Sequence, residues 1–334
     1  MGPLNSMKAT SAAIHLVTAA DAGYVPYLST MLTSVRHNLD PEVRLHVTVL
    51  TRDLEPGVIR WPNRGPGDSL RSFAPDIPPG SVLPIGPDDH LTIDTYHRLF
   101  LELAFDEGVD RVVYLDADLV VLGDLSDLAS IDLGGKTVGA VMDFAIRRWG
   151  GPRTCEALKS QTQHADRSYF NAGVLVIDLD AWRRKRVRDS AVRFLFENQG
   201  GIHCWDQDAL NHALGGDWCE LDPRWNRMCS WERPEFPDPP FSDEVMASLS
   251  TPNIVHFTGR RKPWNDDRHE ARAHFDQYVT MAGFGSHRMT WLKGRWLDMK
   301  GWLRERRRRY TLRGAVRRIR RVLLGTSVRA VVLP

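Results

Sequence analysis

The run Val112-Val113-Tyr114-Leu115-Asp116-Ala117-Asp118-Leu119-Val120-Val121 constrains this chain more than any other stretch. Its apolar, β-branched content predicts a buried strand. Two carboxylates interrupt it, one residue apart. Alternate side chains of a strand share a face, so Asp116 and Asp118 are expected to point the same way. Paired carboxylates repel, and charge is costly inside an apolar element. Two arrangements resolve the conflict. One is a divalent cation between the carboxylates; the other is a polar strand end or turn. Mg²⁺ and Mn²⁺ suit the first, being hard cations that take carboxylate oxygens and commonly share the phosphates of a ligand.

Around that run strands alternate with helices. Further strands are predicted over residues 14–18, 43–50, 82–85, 138–142, 172–177 and 253–257. Helices are predicted over 24–38, with Leu28, Met31, Leu32 and Val35 on one face, and over 95–105, 180–198 and 206–214. Gly and Pro mark a loop at 55–66 and a surface loop at 234–240. Residues 144–167 are polar and contain Gly150-Gly151-Pro152, which predicts a mobile loop beside the site. The alternation argues for an α/β fold with a largely parallel sheet and ligands at the carboxyl ends of its strands.

The chain has 334 residues, 42% hydrophobic and 26% charged, ordinary proportions for a soluble globular protein. No run of eighteen apolar residues exists, so no spanning helix is predicted. Met7 is read as the first native residue, and no basic stretch followed by an apolar one suggests a secretory leader. Cys155, Cys204, Cys219 and Cys229 show no Cys-x-x-Cys spacing and are read as reduced thiols. A cytoplasmic location follows as the expectation.

Charge is unevenly spread. Residues 293–334 hold 14 Lys/Arg and 2 acids, a charge of +12; the other 30 bases and 40 acids leave residues 1–292 at −10. In the tail, Leu292, Trp296, Met299 and Leu303, then Leu312, Val316, Ile319 and Leu323, step at helical spacing. Trp291 and Trp302 flank the stripe. A basic amphipathic helix with Trp fits an anionic membrane surface, here the inner face of the plasma membrane. Packing on the acidic body, or on a second copy of the chain, fits the same pattern. Nucleic acid is not the expected partner.

Five segments, in order, carry a family resemblance. They are Leu16-Val17-Thr18-Ala19-Ala20-Asp21-Ala22-Gly23-Tyr24, Thr95-Tyr96-His97-Arg98-Leu99, and the Asp116-Ala117-Asp118 run. Tyr169-Phe170-Asn171-Ala172-Gly173-Val174-Leu175-Val176-Ile177-Asp178 follows with Asp206-Gln207-Asp208-Ala209-Leu210-Asn211, and last His256-Phe257-Thr258-Gly259-Arg260-Arg261-Lys262-Pro263-Trp264. Over residues 13–265 the chain resembles glycosyltransferase family 8. The resemblance implies a GT-A fold spanning residues 7–285, with 286–334 as the basic tail. It implies retaining transfer of a hexose from UDP-glucose or UDP-galactose to a glycan or lipid-linked acceptor of the cell envelope, with Mn²⁺ or Mg²⁺.

The resemblance also assigns roles. Asp116, Asp118 and His256 would bind the metal. Ala19, Asp21, Tyr24 and Ala117 would hold the uridine, and Gly259 and Lys262 the diphosphate. Arg98 would lie near sugar and phosphates. Asp143, Asn171 and Asp206 would take donor-sugar hydroxyls, with Gln207 beneath the anomeric carbon. Gly23 stands where family members often carry Asn. Each residue also has a plain reading: Asp21 as a helix cap, Tyr24 as core, Lys262 and Arg98 as surface charges, Asp208 as a cap. Two other functions use parts of the pattern. A nucleotidyltransferase would use the paired carboxylates, but no early Gly-rich phosphate loop with a Lys is present. A non-catalytic membrane-bound scaffold would use the tail alone.

Overall fold

The computed structural model describes residues 13–76, 93–229, 242–259 and 261–285. Strands β1 (Ala13–Ala19), β2 (Arg44–Leu50), β3 (Ser69–Phe73), β4 (Arg111–Leu115), β6 (Val138–Met142), β7 (Phe170–Asp178) and β8 (Trp218–Glu220) form one sheet in the order β3-β2-β1-β4-β7-β6-β8. Strands β5 (Leu119–Val121), β9 (Arg227–Met228) and β10 (Ile254–His256) form a small second sheet, ordered β5-β10-β9. The main sheet is parallel except at β7, which runs antiparallel to β4 and β6. This mixed α/β fold, helices flanking a mostly parallel sheet, is the expected architecture.

Both faces of the sheet are buried, as the period of two along its strands requires. Leu16, Val47, Leu115, Val174 and Val176 turn to one side, where Leu28, Met31, Leu32 and Val35 of α1 (Val25–Asn38) cover them. Val17, Leu50, Tyr114, Leu175 and Ile177 turn to the other. That side is covered by the helix Ile93–Ala104, α4 (Leu179–Arg184), α5 (Val187–Glu197) and α6 (Trp205–Leu214). The remaining helices, α2 (Leu125–Ala129), α3 (Glu156–Lys159), α7 (Asp243–Ser248) and α8 (Arg272–Met281), fill the loops, with α8 lying against α1.

Several expectations change. The run 112–121 is not one strand: β4 ends at Leu115 and β5 starts at Leu119, in a different sheet. The Asp116 N–H still donates to the Gly173 carbonyl at 2.8 Å, and the chain then leaves the sheet. The carboxylates thus sit at the open end of β4, which spares them burial among its apolar neighbours. The helix expected over 180–198 breaks at Arg186, whose φ of 53° is left-handed. α4 lies along β4 and β7, whereas α5 lies along α6. Residues 93–104 wind as a tighter 3₁₀ helix.

Strand β3 was not legible, because its sequence Ser-Leu-Arg-Ser-Phe lacks a clear apolar pattern and it lies at the sheet edge. Residues 144–167 are packed rather than open. They contain α3, bury Trp149 to 1% exposure, and are tied by Trp149 N–H to Arg167 O at 2.9 Å and Gly150 N–H to Ala165 O at 2.8 Å. The strand expected at 82–85, the loop at 234–240 and the amphipathic tail lie outside the described residues. Among the described residues no helix is long and apolar enough to cross a membrane.

Candidate active site

Three chain segments meet beyond the carboxyl end of β4. Asp116 and Asp118 come from the β4–β5 turn. His256 ends β10, which pairs antiparallel with β5, so Leu119 and His256 stand opposite each other. The ligand atoms of Asp116, Asp118 and His256 all lie within 4.8 Å of one another. His256 Nε2 is 3.3 Å from Asp118 Oδ1 and 3.7 Å from Asp116 Oδ2. Its Nδ1 meets Asn226 Oδ1 at 2.9 Å. Two carboxylates and an imidazole held by its far nitrogen are a donor set suited to a divalent cation. The β7 backbone passes beneath them at Gly173, where no side chain would fit.

Cations already balance this acidic cluster. Lys262 Nζ donates to Asp118 Oδ2 at 2.6 Å and to the Phe257 carbonyl. Burial would raise the Asp118 carboxyl, but the Lys262 ammonium and His256 outweigh it and hold it far below the usual range. Arg98 NH2 lies 2.8 Å from Asp116 Oδ1, and Nε lies 2.7 Å from Asp206 Oδ2, a charge contact too poorly aligned for a hydrogen bond. NH1 donates to the Ala172 carbonyl at 2.8 Å. Burial works against the Arg98 charge, yet Asp116 and Asp206 keep it firmly protonated. Burial pushes Asp206 up to about 6, against Arg98 and assisted by the Asp116 charge.

The next group is uncharged apart from Asp143. Asn171 Nδ2 donates to Asp143 Oδ2 at 3.1 Å, and Gln207 Nε2 donates to the same oxygen at 3.3 Å. Gln207 Oε1 accepts the Ala172 N–H at 2.9 Å. Asp143 Oδ1 is occupied by the N–H groups of Ala145 and Ile146. Asp208 is structural: it accepts from the N–H groups of His203 and Cys204 and from the Tyr169 hydroxyl.

At the other end, Asp21 accepts the Gly23 N–H at 2.8 Å, the cap that begins the turn Ala22–Tyr24. The plain reading of Asp21 therefore holds for that oxygen. Burial, then the charges of Asp118 and Asp21, raise the Tyr24 phenol far above its usual value. Ala19 packs against the core, and Ala117 is buried between the two carboxylates. Gly259 has φ 78°, which disfavours any side chain there. Trp264 stacks on Tyr27 at 3.8 Å and so ties the Lys262 segment to α1.

The sequence profile of glycosyl transferase family 8 matches residues 15–268. The chain belongs to that family. Similar proteins include General stress protein A of Bacillus subtilis (strain 168), 28% identical over 80% of this chain and 93% of that protein. The lipopolysaccharide 1,2-glucosyltransferase of Escherichia coli (strain K12) is 29% identical over 51% of this chain and 48% of its own length. Glycosyltransferase GlyF of Streptococcus pneumoniae serotype 4 (strain ATCC BAA-334 / TIGR4) is 28% identical, matching 75% of this chain and 57% of that protein. Among solved structures, the galactosyltransferase LgtC, in complex with donor and acceptor sugar analogues, matches with a TM-score of 0.66 at 26% identity. The match covers 80% of this chain and 96% of LgtC. The fold is thus GT-A, and this family 8 member is an enzyme of the hexosyltransferase kind.

All the sequence-predicted metal and sugar residues lie in the described part; Arg98, Asp116, Asp118, Asp206, His256 and Lys262 form one group, and Asn226 links it to Asn171, Asp143 and Gln207. Tyr114, Gly173 and Asn226 were missed. Tyr114 OH donates to Asp116 Oδ1 at 3.0 Å, and its ring lies 4.8 Å beneath the Arg98 guanidinium. Gly173 could have been found inside its motif; Asn226 sits between motifs and gave no signal.

Proposed function

We propose that this chain is a metal-dependent, retaining hexosyltransferase that uses UDP-glucose or UDP-galactose. The observation that carries the reading is the convergence of Asp116, Asp118 and His256, linked through Asn226 to Asn171, Asp143 and Gln207. Asp116, Asp118 and His256 would hold Mn²⁺, or Mg²⁺ in its place. Bound there, the metal would neutralise diphosphate charge as it develops on the leaving group.

The chain's own residues supply the rest. Lys262 is a point charge beside Asp118 and would meet the diphosphate, with Gly259 allowing close backbone approach. Ala19, Asp21, Tyr24 and Ala117 would line the uridine end. Arg98, clamped by Asp116 and Asp206, would stay charged and orient the sugar end. Asp143, Asn171 and Asp206 would accept or donate to sugar hydroxyls. Gln207 is a poor nucleophile, and its amide would lie under the anomeric carbon. Front-face departure through a short-lived oxocarbenium pair then fits better than double displacement, with the leaving phosphate taking the acceptor proton. An active-site Gln→Glu variant of LgtC is among the similar solved structures, at 26% identity, which supports assigning Gln207 to the centre.

The acceptor is a cell-envelope glycan, free or lipid-linked. Relatives named for lipopolysaccharide glucosyl and galactosyl transfer support that class. The +12 tail would hold the enzyme to an anionic surface; equal recovery of full-length and Lys293-truncated proteins on anionic vesicles would dismiss this. The central test is calorimetric titration of UDP with Mn²⁺ and then with EDTA. Metal-dependent binding is expected. No binding in either condition overturns the nucleotide-sugar reading.

A further inference from the structure

We propose that Asn226 is a positioning residue that joins the metal end of the site to the sugar end. Its amide dictates which nitrogen of His256 carries the proton, and its other end orients Asn171. Its consequence for transfer rests on the UDP-sugar reading above; its consequence for His256 does not.

The argument follows donors and acceptors one at a time. The Gly173 N–H can only donate, and it lies 3.0 Å from the side chain of Asn171, so the atom it meets is Oδ1. The other end of Asn171 faces Asp143 Oδ2 at 3.1 Å, an acceptor when ionised, which again requires the amide nitrogen there. Asn226 approaches Asn171 Oδ1 at 2.9 Å and must present its NH₂. Its remaining oxygen therefore faces His256 Nδ1 at 2.9 Å, and that nitrogen must carry the hydrogen. Nε2 is then the nitrogen left to give its lone pair to a cation held with Asp116 and Asp118. The backbone N–H of Gly173 anchors this polarity, so it does not depend on how any amide is oriented by assignment.

Position reinforces it. Asn226 is 1% exposed, His256 4% and Asn171 8%, so water does not compete for these bonds. Asn226 ends the turn Pro223–Asn226, and β9 follows at once, pairing Met228 with His256 on β10. The Cys229 N–H donates to the His256 carbonyl at 2.8 Å. Asn226 is thus carried by the strand that flanks the residue it orients. Partners of this kind on a ligating imidazole fix its tautomer and raise its basicity.

Two substitutions separate the two ends. Asn226→Asp keeps an oxygen for the Nδ1 hydrogen but replaces the donor to Asn171 with an acceptor. Asn226→Ala removes both. The first readout is the ¹⁵N spectrum of histidine-labelled full-length protein above about pH 8, past the ordinary imidazole range, with His256 assigned through His256→Gln. Wild type is expected to carry the proton on Nδ1, and Asn226→Ala to move it toward Nε2. Mn²⁺ titration without nucleotide should weaken by about 10–100-fold in Asn226→Ala and stay within about threefold in Asn226→Asp. UDP-sugar hydrolysis at saturating Mn²⁺ should fall in both.

A wild-type His256 with its hydrogen on Nε2 and none on Nδ1 overturns the proposal. So does an alanine variant that binds Mn²⁺ as wild type does, or an aspartate variant with undiminished turnover. If Asn226→Ala fails to fold by circular dichroism, the wild-type tautomer and the Asp variant still decide. A wild type that binds neither Mn²⁺ nor UDP defeats the proposed function, while the tautomer result stands by itself.

Discussion

A Cβ built on Gly173 would lie 2.2 Å from Cε1 of His256 and 2.8 Å from Oδ2 of Asp116. The β7 backbone is therefore the floor of the metal cluster, and only glycine leaves room for imidazole and carboxylate together. Gly173→Ala must displace β7 or the ligands. The expected cost is about 1–3 kcal/mol of stability from overpacking, read by urea unfolding. Misplaced ligands should also lower hydrolysis by about 100-fold. A variant equal to wild type in both would show that β7 yields freely.

Asp118 is held ionised by Lys262 and lies against two other candidate ligands. Asp118→Asn keeps the shape and removes the charge. Without metal its melting temperature should fall, because Lys262 and His256 hold the carboxylate ionised and lose that partner in the variant. With Mn²⁺ the two proteins should part further. Ligand binding to the folded state alone stabilises by about 2.7 kcal/mol at a hundredfold excess over Kd. EDTA should therefore lower the melting temperature of metal-loaded wild type and leave the variant unmoved.

The sheet and the cluster of Asp116, Asp118 and His256 were legible because each leaves a local trace. Apolar runs mark β1, β2, β6 and β7, and carboxylates inside the run at 112–121 demand an explanation. What was not legible depends on contacts far apart in sequence. The break between β4 and β5 follows from β5 pairing with β10, some 130 residues on by sequence number. The turn at Arg186 follows from α4 and α5 packing on different partners. Asn226 has an unremarkable sequence neighbourhood, and its place between His256 and Asn171 exists only after three segments fold together. Asp208 and Gln207 are adjacent in sequence, yet one ties down the His203–Cys204 backbone and the other faces Asp143.

Burial, opposed by Arg98, raises the Asp206 carboxyl from 3.8 to about 6. The folded chain therefore holds this proton more tightly than the unfolded chain. The stability it contributes is complete below about pH 3.8 and is lost as pH rises through about 6. Asp206→Asn cannot titrate. Urea unfolding in EDTA from pH 4 to pH 7 should show the wild type losing up to about 3 kcal/mol relative to the variant. Parallel curves would mean that Arg98 fully offsets the burial.

Gln207 holds the Ala172 N–H with its oxygen, and its nitrogen reaches Asp143 and the Tyr169 hydroxyl, each at 3.3 Å. Gln207→Glu preserves size and the bond to Ala172 but sets a second carboxyl against Asp143. The pair then shares a proton, because two charges so close resist joint ionisation. Nucleotide binding depends on other residues, so UDP affinity with Mn²⁺ should remain. On the proposed reading the amide lies at the reacting centre, so transfer should fall by about 100-fold. A fall in UDP affinity with turnover intact would move Gln207 from the reacting centre to the frame that holds β7, where its bond to Ala172 already places one end of it.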